Sequence, residues 1–132
     1  MGQRGGDVLI GGLGDDFLRG GAGVDTLFGG RGADTFHFLV GEARYDAVGL
    51  TEDRIQDFEA DDLIDLSDVS DLGLDFIGRA AFDGAYEVRI ADLRETNGYQ
   101  EVQVNLDDGS RPELAFLVDA GDRLLQADDF LL

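Results

Sequence analysis

Four consecutive nine-residue segments, starting at Gly2, Gly11, Gly20 and Gly29, read GQRGGDVLI, GGLGDDFLR, GGAGVDTLF and GGRGADTFH. Three satisfy GGxGxDxUx in full, with U a large apolar residue, and the first lacks only its second glycine. Units this short must stack on one another to bury a shared core, as the units of a solenoid do. Each divides into two parts. The glycines permit positive φ and allow the backbone carbonyls of a tight turn to converge. The last three residues form a short strand whose middle side chain, Leu9, Leu18, Leu27 or Phe36, faces inward because side chains alternate along a strand.

The sixth position of every unit is an aspartate: Asp7, Asp16, Asp25 and Asp34. An isolated Gly-Asp pair reads as an Asx turn, but four aspartates in register place hard anionic oxygens beside converging carbonyls, which is what Ca²⁺ prefers. The charge agrees. Against 29 Asp and Glu stand 10 basic residues, all arginine, so a formal charge of −19 opposes any compact state until a cation enters. The same surface excludes nucleic acid and anionic lipid headgroups as partners, because binding phosphates requires clustered cations. With no cysteine, neither disulfides nor thiolate metal sites are available. No apolar run approaches the roughly 20 residues that span a bilayer, so no membrane insertion is expected. Residues 1–10 lack the layout of a cleavable leader, so an export address is expected elsewhere. A hydrophobic content of 43% with nine Phe argues for a folded state once charge is neutralised.

If each unit is half a coil, units n and n+2 stack on the same side. One outer face then shows Val8, Ile10, Thr26 and Phe28, and the other Phe17, Arg19, Thr35 and His37. The first is too apolar to stay wet, so the C-terminal segment or a neighbouring module is expected to cover it. His37, the only histidine, is expected at the surface. Thr26 and Thr35 fall on opposite sides, which gives no flat threonine ladder for ice or adhesive binding. Residues 41–50 read as a loop. Beyond them Asp53-x-Ile55 and Asp62-x-Ile64 echo the Asp-x-U unit and are expected to prolong the roll with degenerate turns. From Ala85 the alternation of Tyr86, Val88 and Ile90, then of Val102, Val104 and Leu106 after Asn97-Gly98, predicts antiparallel strands. Asp107-Asp108-Gly109 signals a hairpin into a third strand over 113–118, and the closing DDFLL predicts a last strand or a docked tail.

Together with ADTFHF, DRIQDFEADDLIDLS and ADDFLL, the repeats resemble RTX (repeats-in-toxin) calcium-binding modules over nearly the whole chain. Two groups match equally: the C-terminal domain of serralysin-type metalloproteases and the R-modules of secreted mannuronan C-5 epimerases. The resemblance implies an all-β fold, a right-handed parallel β-roll over roughly residues 2–70 capped by antiparallel strands from about 84. It implies a single module, 1–132, with repeats over 2–37, a degenerate extension and loop over 38–83, and a cap and tail over 84–132. It also implies at least two Ca²⁺ ions. One would take Gln3, Gly5 and Asp7 with Gly20, Ala22 and Asp25; the other Gly12, Gly14 and Asp16 with Gly29, Arg31 and Asp34. Gly21, Gly23, Gly30, Gly32, Asp53 and Asp62 are secondary candidates. As partners it implies a covalently attached catalytic domain and a type I secretion exporter, with an extracellular location.

No catalytic constellation emerges. The zinc motif H-E-x-x-H and the elbow G-x-S-x-G are both absent, and Ser67, Ser70 and Ser110 have no base in sequence reach. The reading is therefore a non-catalytic accessory module. The alternative is a polysaccharide-binding module in which Arg89, Arg94 and Arg111 grip the carboxylates of an alginate-type uronan. The plainer expectation for Arg79, Arg89, Arg94, Arg111 and Arg123 is partnership with nearby acids.

Overall fold

The computed structural model describes residues 2, 4–40, 53–91, 98–109 and 111–132. The repeats form four parallel strands: β1 (Val8–Leu13), β2 (Phe17–Leu18), β3 (Thr26–Arg31) and β4 (Thr35–His37). β1 lies beside β3 with Leu9 opposite Leu27. β2 lies beside β4 with Leu18 opposite Phe36. The register shift is 18 residues, so two units make one coil and successive coils present equivalent side chains to one another.

A third coil follows with degenerate turns, as the Asp-x-Ile echoes predict. β5 (Asp53–Ile55) pairs with β3, setting Ile55 opposite Leu27. β6 (Leu63–Asp65) pairs with β4, setting Ile64 opposite Phe36. The shift there is 28 residues. The expected loop at 41–50 lies outside the described residues. Leu27, Phe36, Ile55 and Ile64 are fully buried between the two sheets, each contributing about 1.5–3 kcal/mol of apolar burial.

β7 (Asp75–Gly78), β8 (Glu87–Ala91), β9 (Gln100–Asn105) and β10 (Leu114–Val118) complete the larger sheet. β8, β9 and β10 are antiparallel neighbours. They do not sit across the roll. β10 instead runs parallel to β5, with Val118 opposite Ile55, so the cap continues the roll's sheet edge to edge in the order β1-β3-β5-β10-β9-β8-β7. After a 3₁₀ turn at Ala127–Asp129, β11 (Phe130–Leu131) pairs in parallel with β6, giving the second sheet β11-β6-β4-β2. Phe130 stacks on Phe76 at 5.2 Å between ring centroids. Phe38 stacks on Phe116 at 3.9 Å, tying the end of the repeats to the cap.

This arrangement corrects one expectation and removes one alternative of another. The C-terminal strands leave the Val8 and Ile10 face exposed, because they extend the sheet beyond β5 and do not fold over it, so of the two covers expected for that face the C-terminal segment is not one. His37 is buried: its Nε2 lies 3.0 Å from the Asp68 carboxylate, and the Phe17 ring lies 5.3 Å away centroid to centroid. Among the described residues, no helix is long and apolar enough to cross a membrane.

Candidate metal centre

The turn Gly11–Asp16 and the turn one coil later, Gly29–Asp34, face each other across a lining of oxygens. Gly12 and Gly14 adopt φ of 113° and 97°, a region open to glycine and strained for other residues. Their carbonyls press forward against Gly30 and Gly32 of the next turn, close to where a Cβ would stand there. Gly29 sends its carbonyl back toward Gly11, and the Arg31 carbonyl accepts from the Gly14 amide at 2.7 Å. Gly11 is required for a different reason. A Cβ there would lie 2.6 Å from the Gly29 carbonyl oxygen and 2.7 Å from Oδ2 of Asp16, so the first glycine makes room for the carboxylate of its own turn.

The aspartates divide their two oxygens between two tasks. Oδ1 of Asp34 accepts the Asp16 amide at 2.9 Å, and Oδ1 of Asp62 accepts the Asp34 amide at 2.9 Å. On the other side Asp25 takes the Asp7 amide and Asp53 takes the Asp25 amide, both at 2.8 Å. These two ladders hold the coils in register. Oδ2 of Asp16 and Oδ2 of Asp34 are buried without a hydrogen-bond partner. Buried unpaired carboxylate oxygens are costly, and beside facing carbonyls they form a hard, all-oxygen donor set that fits Ca²⁺. Among the described residues no three His, Asp or Glu side chains converge, so a cation there would rest on paired aspartates plus main-chain carbonyls.

The described turns expected to carry the other set also face each other across the coils. The Gly5 carbonyl lies against Gly23, the Gly20 carbonyl against Gly2, and the Ala22 carbonyl accepts the Gly5 amide at 2.9 Å. Asp7 and Asp25 meet through the ladder, while Gln3 lies outside the described residues. Gly21, Gly23, Gly30 and Gly32 all take positive φ in the turns of the second coil. One coil beyond Asp34, Asp62 has both oxygens engaged, since the Asp34 amide donates to Oδ1 at 2.9 Å and the Glu59 amide to Oδ2 at 2.8 Å. Burial raises the Asp62 pKa above its ordinary 3.8, the charges of Asp34 and Asp57 add to the rise, and the two amide bonds oppose it.

Asp57 escaped the sequence reading. Its carboxylate accepts the amides of Gly29 and Gly30 at 2.8 and 3.0 Å, sealing the last turn of that stack. The 28-residue shift that aligns Asp53 with Asp25 also sets Asp57 opposite Gly29, and that was the signal available. Of the arginines, Arg89 donates through Nε to Gln103 at 2.8 Å and stacks its guanidinium over Phe82 at 4.4 Å. Arg111 is exposed and Arg94 lies outside the described residues. Arg123 pairs with Asp129.

Residues 1–36 match the family model of the RTX calcium-binding nonapeptide repeat, in four copies. The repeats are therefore calcium-binding RTX repeats, and the fold they carry is that of an RTX β-roll module. Among solved structures the chain is similar to the AlgE6R3 subunit of the Azotobacter vinelandii mannuronan C5-epimerase, at 27% identity and a TM-score of 0.66, over 99% of this chain and 80% of that one. The AlgE6R2 subunit of the same epimerase shares the fold at 24% identity and a TM-score of 0.59, over 97% of this chain and 91% of that one. A search of curated proteins finds no significant match.

Proposed function

We propose that this chain is a non-catalytic accessory module that folds when it binds calcium outside the cell, supporting type I secretion and the stability of an attached enzyme. One observation carries the reading: Oδ2 of Asp16 and Oδ2 of Asp34 are buried without partners, where the carbonyls of Gly12, Gly14, Gly29 and Arg31 face across the coils. Bound calcium would supply the positive charge that these oxygens lack. Without it the ladders stack aspartate above aspartate in a chain of charge −19, and the roll is opposed by its own field. Extracellular calcium modules bind with Kd of about 10⁻⁴–10⁻³ M, so the chain stays largely unfolded at cytosolic calcium and is drawn to the folded state outside.

The ligand sets proposed are Gln3, Gly5, Asp7, Gly20, Ala22 and Asp25 for one ion, and Gly12, Gly14, Asp16, Gly29, Arg31 and Asp34 for the other. The test is a calcium titration followed by far-UV circular dichroism, with magnesium as control and Asp16→Ala and Asp25→Ala beside the parent chain. Cooperative β-structure with calcium alone, weakened by each substitution, supports the reading; equal folding in chelator removes it.

A second reading, an accessory module that binds an anionic uronan, is supported by the likeness to the epimerase subunits. Arg89 is its weakest element, because Gln103 and Phe82 already occupy the guanidinium. An Arg89→Ala, Arg111→Ala variant on a glycan panel decides it, and binding that survives the double change removes the arginines from the proposal.

A further inference from the structure

The turn between β5 and β6 carries an aspartate where the repeats carry their first glycine. A shift of 28 residues sets Asp57 opposite Gly29, Asp62 opposite Asp34 and Ile64 opposite Phe36, so residues 57–65, DFEADDLID, are a further degenerate nonapeptide. A side chain has room at this first position because the oxygens that crowd it in the earlier turns are engaged elsewhere. Oδ2 of Asp62 turns to the Glu59 amide at 2.8 Å, and the next layer is the β10–β11 connection, whose Asp119 carbonyl accepts the Phe58 amide at 3.0 Å. Phe58 is buried with its ring 6.1 Å from that of Phe36, centroid to centroid, so the backbone beside Asp57 is held by main chain and side chain alike.

Peptide planarity turns the Asp57 contact into an orientation. The Gly29 carbonyl and the Gly30 amide belong to one trans peptide, so the C=O and the N–H point in opposite directions. Asp57 accepts that N–H at 3.0 Å from the third coil. The Gly29 carbonyl is thereby turned away from the third coil and toward Gly11, where its oxygen lies 2.6 Å from the position of a Gly11 Cβ, and Oδ2 of Asp16 lies 2.7 Å from the same point. A neutral acceptor could fix this direction, but a carboxylate adds charge. Hydrogen bonds to an ionised acceptor are about twice as strong as neutral ones, and they polarise the peptide, raising the electron density on the carbonyl oxygen at its other end.

We infer that Asp57, resting on the calcium reading above, is a positioning residue for the ion assigned to Asp16 and Asp34: by holding the Gly30 amide it aims and strengthens the Gly29 carbonyl as a donor. Asp57 is not itself a ligand of that ion. Its two oxygens accept the Gly29 and Gly30 amides on the far side of the peptide. Partners one shell out from a metal ligand raise the basicity of that ligand, and their loss costs about 10- to 100-fold in affinity. Asp57 is half-buried, so solvent screens part of its charge and the lower end of that range is expected.

The experiment is a double-mutant cycle on the full chain, because a contact that only stabilised the fold would also raise the calcium midpoint. Asp57→Ala is made in the parent, in Asp7→Ala and in Asp34→Ala, and each chain is titrated with calcium by far-UV circular dichroism. The midpoint is expected to rise about tenfold in the parent and in Asp7→Ala. In Asp34→Ala, where the ion has lost an aspartate, the rise should be clearly smaller, since the two residues act through one ion. Equal rises in all three backgrounds overturn the inference. Asp57→Asn, which keeps a neutral acceptor, covers the case in which an alanine variant fails to fold. In saturating calcium its Gly29 carbonyl ¹³C and Gly30 amide ¹H resonances should shift from those of the parent while the Gly20 carbonyl, on the other stack, stays in place. An unmoved Gly29 carbonyl overturns the inference as well. The parent chain separates the two readings: circular dichroism indifferent to calcium sinks the calcium reading itself, whereas a calcium-responsive parent with equal rises in every background sinks only the role of Asp57.

Discussion

The amide of Asp16 donates to Oδ1 of Asp34 at 2.9 Å, eighteen residues later and one coil further along the roll. The same carboxylate keeps its Oδ2 buried and unpaired, so a single side chain aligns two coils and faces the space between them. Asp34→Ala removes both contributions. It is expected to cost about 1.5–3 kcal/mol from the hydrogen bond alone and to raise the calcium midpoint several-fold. Urea unfolding at fixed calcium measures the first, and a dichroism titration the second; a midpoint unchanged from the parent chain would separate Asp34 from calcium.

Gly30 and Gly98 take nearly the same backbone conformation, with φ of 103° and 97°, in different surroundings. A Cβ on Gly30 would collide with the Gly12 carbonyl, whereas one on Gly98 meets nothing. Gly98→Ala should therefore cost only the conformational strain, about 1 kcal/mol, and Gly30→Ala clearly more. Thermal melts of the two variants in saturating calcium compare them directly, and equal losses would mean that the coils yield at the turn.

Phe116 is fully buried on β10 and stacked on Phe38. Replacing it by alanine opens a cavity where the roll meets the cap, at a cost of about 3–5 kcal/mol. Both regions should melt together if the seven-stranded sheet is one cooperative unit. Separate transitions for the repeats and for β8–β10, followed by hydrogen exchange, would contradict that.

Asp129 is buried and accepts the Gln126 amide at 2.7 Å while pairing with Arg123. Breaking a buried pair costs about 3–5 kcal/mol, but the Arg123 side chain is 36% exposed, so Asp129→Ala is expected to cost about 2 kcal/mol. The loss should be local. Exchange at Leu66, whose amide donates to the Leu131 carbonyl at 2.8 Å, should rise before the repeats open.

Asp62 titrates against the calcium-free fold. Its pKa is raised in the folded chain by burial, with Asp34 and Asp57 nearby. The folded state therefore holds the proton more tightly than the unfolded state does. The penalty is fully present above the raised value and is relieved as pH falls toward and below 3.8. The chelated chain should accordingly gain β-structure between neutral pH and about 4, with a shallower slope in Asp62→Ala, and a signal that falls over that range would refute the assignment.

Several features of the molecule were legible before any coordinates. The nine-residue period set the turn positions, the sixth-position aspartates and the inward residues Leu18, Leu27 and Phe36, because each depends on contacts between identical units at a fixed spacing. Asp53-x-Ile55 and Asp62-x-Ile64 carried the same signal across an irregular gap. His37 was misjudged because an outward strand position says nothing about which distant segment covers it, and here that cover is Asp68 from beyond β6. Tertiary structure alone decided where β10 and β11 attach. Every sheet edge offers the same row of unpaired amides and carbonyls, so local sequence cannot choose among edges. The choice falls to packing between remote side chains, Phe116 on Phe38 and Phe130 on Phe76.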